Sequence, residues 1–155
     1  MIQARKLKGF RDFDPFAARA RDEITAALRS RAARAGFEEI STPAVEYAAV
    51  LLGSAGGETE KEDYRYEDPG GRGVAWRFDL TVPFARYVAE NQGTLIVPFK
   101  KFQVGEVFRG EKPQKGRYRQ FCQADVDIIG ADTEACDIEV IQLIARTIND
   151  LLGRP

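Results

Sequence analysis

From Lys100 to Gly130 the chain reads KKFQVGEVFRGEKPQKGRYRQFCQADVDIIG, two runs of strand-forming residues held apart by one long, charged connection. That pattern constrains the fold strongly, because both runs must enter a sheet while the connection emerges at its end. On the second run, alternation puts Cys122, Ala124, Val126 and Ile128 on one face and Phe121, Gln123, Asp125 and Asp127 on the other. The first is predicted to be a core face. The second carries an aromatic, an amide and two carboxylates in one row, a lining for a polar ligand. On the first run Gln103, Gly105, Val107 and Arg109 share a parity, so Gly105 is expected to clear space beside an arginine that stands where strand becomes loop. Between Gly110 and Tyr118, Glu111, Lys112, Lys115 and Arg117 gather around Pro113 and Gly116, which suits the connection to an anion. A solvated surface hairpin with alternating charges is the competing reading.

The chain has 155 residues, 44% of them hydrophobic, enough for one core and one domain, residues 1–155. A net charge of −1 leaves no broadly basic surface for nucleic acid, so any such contact is local. No apolar run is long enough to cross a bilayer and no basic-then-apolar leader opens the sequence, so a soluble, cytoplasmic protein is expected. There is no histidine, and the two cysteines are Cys122 and Cys136. This argues against a zinc site and removes Ser/His/Asp hydrolysis, leaving carboxylates, Arg, Lys and Tyr for any chemistry. Cys122 reads as a core residue rather than a nucleophile.

Residues 1–13 read as a lead-in segment. Asp14 and Pro15 are start signals for an amphipathic helix running to about Ala35, with Phe16, Ala20, Ile24, Ala27, Leu28 and Ala32 on one stripe and Gly36 as the stop. Phe37 to Tyr47 is extended, and Pro43 rules out a central strand position. Leu52 to Asp63 is glycine-rich and then acidic, a surface loop. A second hairpin runs from Tyr64 to Asp79 through Pro69, Gly70, Gly71 and Gly73, with Ala75, Arg77 and Asp79 on a charged face. A helix follows over Val82 to Gln92, for which Thr81 is a candidate cap. Asp132 or Thr133 then caps a last helix whose Ala135, Ile138, Ile141, Ile144, Ala145, Ile148 and Leu152 form a wide apolar stripe, expected to lie on the back of the sheet. The fold class is α+β, an antiparallel sheet flanked by helices.

FRGEKPQKGRYRQFCQ closely resembles the second signature motif of class II aminoacyl-tRNA synthetases, and of histidyl-tRNA synthetases in particular. GFRD near the N-terminus resembles the same family's opening segment, FEEISTPAVEY (with its helix, about residues 20–47) its first motif, and WRFDLTVPFARY its amino-acid-binding segment. The second motif spans about residues 100–130. The resemblance implies a partial class II catalytic fold, with the family's third motif and anticodon-binding domain outside these residues. It implies that Arg109 grips the amino-acid carboxylate and the α-phosphate, and that Glu111 and Arg117 bind around ATP with magnesium at Glu111. Phe121 would stack on adenine. Asp79 and Thr81 would hold the α-ammonium of histidine, while Gln123 and Asp127 would face the substrate side chain. Pro43 and its neighbours become candidates for a homodimer contact, an edge strand being the plainer alternative.

The function implied is activation of histidine with ATP to histidyl-adenylate, with tRNA(His) as the family's further partner and no membrane. Two other readings stay open. A non-catalytic relative serves as regulatory subunit of ATP phosphoribosyltransferase, and the chain could also be an inert dimerising fragment.

Overall fold

Asp14 opens the first helix by accepting a hydrogen bond from the Ala17 amide on Oδ1 (2.8 Å), and Pro15 takes the first helical position, where its missing N–H costs nothing. In the computed structural model, which describes residues 2–53 and 64–153, this helix α1 spans Pro15–Arg34. Gly36, at φ 78°, lets the chain leave it through the left-handed region. There follow β1 (Glu38–Glu39), β2 (Val45–Tyr47), α2 (Ala48–Leu52), β3 (Arg65–Glu67), β4 (Gly73–Trp76), α3 (Thr81–Glu90), β5 (Phe99–Phe108), β6 (Gln120–Ile129) and α4 (Glu134–Leu151). The short α2 has no signal in the residues: Tyr47 before it makes no side-chain cap, and five residues show no helical period. The glycine-rich, acidic loop expected next lies, from Ser54 to Asp63, outside the described residues.

The chain is α+β as expected, with its strands in two three-stranded sheets ordered β1-β5-β6 and β2-β4-β3. β4 runs antiparallel to both neighbours, with Val45 opposite Trp76 and Tyr66 opposite Val74. β1 departs from the expected antiparallel pattern: Glu38 and Glu39 run parallel to Lys101 and Phe102 of β5. Pro43, which lacks a donor, falls between β1 and β2 rather than inside either.

Two compact units divide the chain. The first comprises Met1–Asp12, Thr42–Asn91 and Gly105–Gln123; the second comprises Phe13–Ser41, Gln92–Val104 and Ala124–Pro155. In the first unit Leu51, Val74, Leu80, Phe84 and Val107 are buried, and α2 packs on β4 and α3. Glu46 of β2 is also buried. It is matched by Arg86 of α3, whose Nε reaches both carboxylate oxygens at 3.1 and 3.0 Å and whose Nη2 donates at 2.8 Å. This fork holds the Arg86 guanidinium above its ordinary pKa.

In the second unit Ala32, Phe37, Phe102 and Leu143 form the core, with Leu28, Val104, Val126, Ile128 and Val140 packed against it. Burying each phenylalanine contributes roughly 2 to 3 kcal/mol of transfer free energy. Lys100 of β5 closes this core at the end of α1, donating to the Ala35 carbonyl (3.0 Å) and to Glu139, so a terminal helix carbonyl is satisfied.

The apolar stripe expected to bury α4 faces outward instead. Ile138, Ile141, Ile144, Ile148 and Leu152 are all exposed, while Leu143 and Thr147 are the buried positions. Val140, Leu143 and Thr147 recur at helical spacing on the other side of the helix, and Thr147 Oγ1 donates to the Leu143 carbonyl (2.6 Å), so the face that meets the core tolerates a hydroxyl. The stripe of α1 is likewise divided: Ala32 is buried, but Phe16 is 83% exposed and Ile24 49%.

Candidate active site

The end of β4 is organised by a buried charge. Arg77, expected on a polar strand face, is only 6% exposed. Its Nη1 donates to the Thr42 carbonyl (2.7 Å), the Pro43 carbonyl (3.3 Å) and Thr42 Oγ1 (3.4 Å), and its Nε donates to the Glu106 carbonyl (2.9 Å). Gly105 makes room for this: a Cβ there would lie 2.2 Å from Arg77 Nη2 and 3.2 Å from Cζ. The space expected to open beside Arg109 is therefore filled by Arg77. Burial lowers the Arg77 pKa, and the charges of Glu46 and Glu106 act against that fall, so the guanidinium stays protonated.

Backbone bonds at the same strand ends place Arg109. The Phe108 amide donates to the Arg77 carbonyl (2.9 Å) and the Arg109 amide to the Arg119 carbonyl (2.8 Å). Arg109 Nε donates to the Phe78 carbonyl at 3.0 Å. Its Cζ lies 5.1 Å from the Phe121 ring centroid, and Nη2 is 3.5 Å from Gln123 Oε1.

The loop that follows folds back on itself. Gln114 and Arg117 exchange backbone hydrogen bonds of 3.3 and 2.9 Å around Gly116, whose φ of 82° suits that tight reversal. Arg119 Nε donates to the Glu111 carbonyl (3.0 Å), and the Arg119 amide donates to the Gly9 carbonyl (2.8 Å), which ties the lead-in segment to the loop. Arg117 Nη1 and Glu111 Oε2 are 3.3 Å apart. Arg11 stacks its guanidinium 3.5 Å from the Tyr118 ring centroid.

Arg11, Arg109, Glu111, Gly116, Arg117, Tyr118 and Phe121 line one cavity of about 340 Å³. Among the described residues, three guanidinium groups and one carboxylate line it, beside two aromatic rings. That combination suits a ligand with several phosphate charges and one flat ring system, since guanidinium forks match phosphate oxygens and a phenyl ring offers a stacking surface. The donor set fits magnesium only in part. Glu111 is the one acidic side chain lining the cavity, and no group of three or more potential metal ligands is gathered among the described residues. A magnesium ion would arrive on the phosphates with its waters, and Glu111 would be one ligand.

Of the residues singled out in the sequence, Arg109, Glu111, Arg117 and Phe121 share this cavity, with Gln123 at the edge of Arg109's reach. Asp79 and Thr81 belong to the same unit. Thr81 does not cap α3: it is already helical and exposed, Leu80 stands at the N-cap without a side-chain bond, and Asp79, one residue earlier, accepts from the Val82 amide on Oδ1 (3.1 Å). One carboxylate oxygen thus anchors a helix start, which orients the group. Asp127 lies in the second unit, where its Oδ2 accepts from Lys101 Nζ (2.8 Å), a lysine with no exposed surface. Cys122 is exposed rather than in the core, because the core reaches only Val126 and Ile128 on that face of β6. Arg11 and Tyr118 were missed as site residues. The signal for Arg11 was present in the GFRD cluster, but only the fold brings it to the loop.

A family model described as histidyl-tRNA synthetase matches residues 9–155. A histidine–tRNA ligase of Treponema denticola is 51% identical, over 97% of this chain and 34% of its own length. One from Rhodopirellula baltica is 48% identical, over 93% of this chain and 33% of its own length. The chain thus spans about a third of the curated relatives it matches. Among solved structures, a histidyl-tRNA synthetase from Nostoc sp. superposes with a TM-score of 0.83 at 31% identity, over 97% of this chain and 33% of that one. A Bacillus halodurans structure described as an ATP phosphoribosyltransferase regulatory subunit/histidyl-tRNA synthetase superposes with a TM-score of 0.83 at 26% identity, over 96% of this chain and 38% of that one.

Proposed function

We propose that this chain, which belongs to the histidyl-tRNA synthetase family, carries the part of a histidine–tRNA ligase that grips ATP and the histidine carboxylate for adenylation. In that reaction a histidine carboxylate oxygen attacks the α-phosphorus, the bond to the β-phosphate oxygen breaks, and pyrophosphate leaves. The nucleophile is already ionised, so no general base is needed, in keeping with a chain that has no histidine. The chain's task is to align two anions and offset their charge. The observation that carries this reading is the cavity lined by Arg11, Arg109 and Arg117 together with Glu111 and Phe121. Arg109 bridges the carboxylate and the α-phosphate, Arg117 and Glu111 hold the nucleotide's phosphates and their magnesium, and Phe121 stacks on adenine. Asp79, oriented by its bond from the Val82 amide in the first turn of α3, and Thr81 take the α-ammonium group. Gln123 and Asp127 are assigned to the histidine side; Asp127 also neutralises Lys101, so Asp127→Ala must be tested for stability as well as selectivity.

The wider assignment is a cytoplasmic enzyme with histidine, ATP and tRNA(His) as partners. The outward isoleucines of α4 support association into a homodimer, which light scattering after gel filtration tests: a monomer at high concentration would count against it. Histidine-dependent ATP–pyrophosphate exchange tests the activity. Measurable exchange that depends on both histidine and ATP is expected. Histidine binding with no nucleotide binding would favour a regulatory-subunit role of the kind named for the Bacillus halodurans structure; binding of neither would leave an inert fragment.

A further inference from the structure

We propose that Arg77 is a positioning residue: its guanidinium holds the end of β4 against the end of β5, and thereby places Arg109 and Asp79. This rests on the assignment of Arg109 to the nucleotide. The ladder of β4 ends at Trp76, so residues 77–80 leave the sheet before α3 begins at Thr81. Arg77 is the first residue beyond the ladder, and it is tied three ways. Its amide donates to the Ala44 carbonyl (2.9 Å), its carbonyl accepts from the Phe108 amide (2.9 Å), and its side chain binds Thr42, Pro43 and Glu106. The next carbonyl, that of Phe78, is the acceptor for Arg109 Nε. One residue further, Asp79 Oδ1 accepts from the Val82 amide in the first turn of α3.

A purely packing role would be served by an apolar side chain, since a buried cation is costly to desolvate and carbonyl acceptors only partly offset that cost. What a fork adds is direction. Planar donors fix the strand end relative to two segments 29 and 35 residues distant in sequence, which a leucine cannot do. Gly105 completes the device, because any Cβ at that position would collide with the guanidinium.

The test uses Arg77→Met, Arg77→Lys, Gly105→Ala and the Arg77→Met/Gly105→Ala double variant of the full chain. The first readout needs no ligand: the NMR resonance of Arg109 Nε–H and its hydrogen-exchange protection. In folded single variants this signal should shift and lose protection, and Lys should fail to restore it. The second readout is ATP affinity by calorimetry, which should fall roughly ten- to a hundredfold, the scale that a misplacement of about 1 Å can produce. The double variant should be no worse than Arg77→Met, since both substitutions remove the same contact. An unmoved Arg109 signal in any folded variant overturns the inference, as does additive loss in the double. If Arg77→Met does not fold, Gly105→Ala, which keeps the cation, decides. If the parent chain binds neither ATP nor histidine, the proposed function falls, while the Arg109 signal still judges this inference.

Discussion

Two hairpin loops of the first unit are both rich in charge and glycine, yet they treat their charges in opposite ways. In the turn between β3 and β4, Asp68 Oδ1 accepts from the amides of Gly70 (2.9 Å) and Arg72 (3.0 Å), and Oδ2 accepts from Arg72 Nε (2.8 Å). Its charges are spent on the turn itself. In the loop between β5 and β6 the backbone closes the turn through Gln114 and Arg117, with Arg119 Nε bracing it at the Glu111 carbonyl. Arg117 has only a 3.3 Å approach to Glu111, and among the described residues Lys112 and Lys115 have no ion-pair partner. Both turns are closed by backbone bonds, in the first from the Asp68 amide to the Arg72 carbonyl (3.0 Å) and from the Gly71 amide to the Asp68 carbonyl (2.9 Å); the loops differ in that Asp68 and Arg72 satisfy one another, whereas Lys112 and Lys115 stay exposed, which suits a ligand.

The largest expected effect that sharpens this contrast is that of Arg109→Ala. Its Nε is held by the Phe78 carbonyl and its Nη2 lies 3.5 Å from Gln123, while the side chain lines the cavity, so its removal should cost about 3 kcal/mol, or roughly a hundredfold, in ATP-dependent function. Thermal unfolding should barely change; unaltered ATP binding by calorimetry would break the assignment of the loop. Phe121→Leu should cost about 1 to 2 kcal/mol by loss of stacking, and the loss should be larger for ATP than for pyrophosphate, which has no ring. Arg117→Ala, at an exposed position, should cost about 1 kcal/mol, and the difference from the parent should shrink as salt is raised.

Asp68→Asn is the counterpart, with the smallest effect. It should leave ATP binding untouched and lower stability slightly. Arg72 holds the Asp68 carboxyl below its ordinary value of 3.8, so the stabilisation it provides is fully present above the unfolded-state pKa and is lost as pH falls through the lower folded value. The melting curves of parent and Asp68→Asn should therefore differ near neutrality and converge in strong acid. A constant difference down to low pH would show that the turn is held by geometry rather than by charge.

Much of this was legible in the residues. Asp14, Pro15 and Gly36 mark α1 because caps and stops act over three or four positions, and the 69–73 turn marks β3 and β4 for the same reason. Arg109, Glu111, Arg117 and Phe121 could be grouped because they lie on one strand, its loop and the next strand. What was not legible depends on distance in the chain. Period shows that the isoleucines of α4 share a face, but not which face meets Phe37 and Phe102. Parity places Arg77 on a polar side, while its acceptors at Thr42 and Pro43 come from a segment that only the fold brings near. Gly105 does mark a space, but a glycine does not indicate what fills it, and the occupant is Arg77 rather than a ligand beside Arg109.

Trp76 is the one tryptophan of the chain, and its ring lies 4.7 Å from that of Phe108 at a tilt of 52°. It therefore ends β4 next to Arg77 while touching Phe108, the residue before Arg109, at the end of β5. Selective excitation of the indole consequently reports from the strand ends that carry the site and from nowhere else. Any ligand or substitution that changes how those ends meet should alter its emission, which gives an unlabelled optical titration of the site.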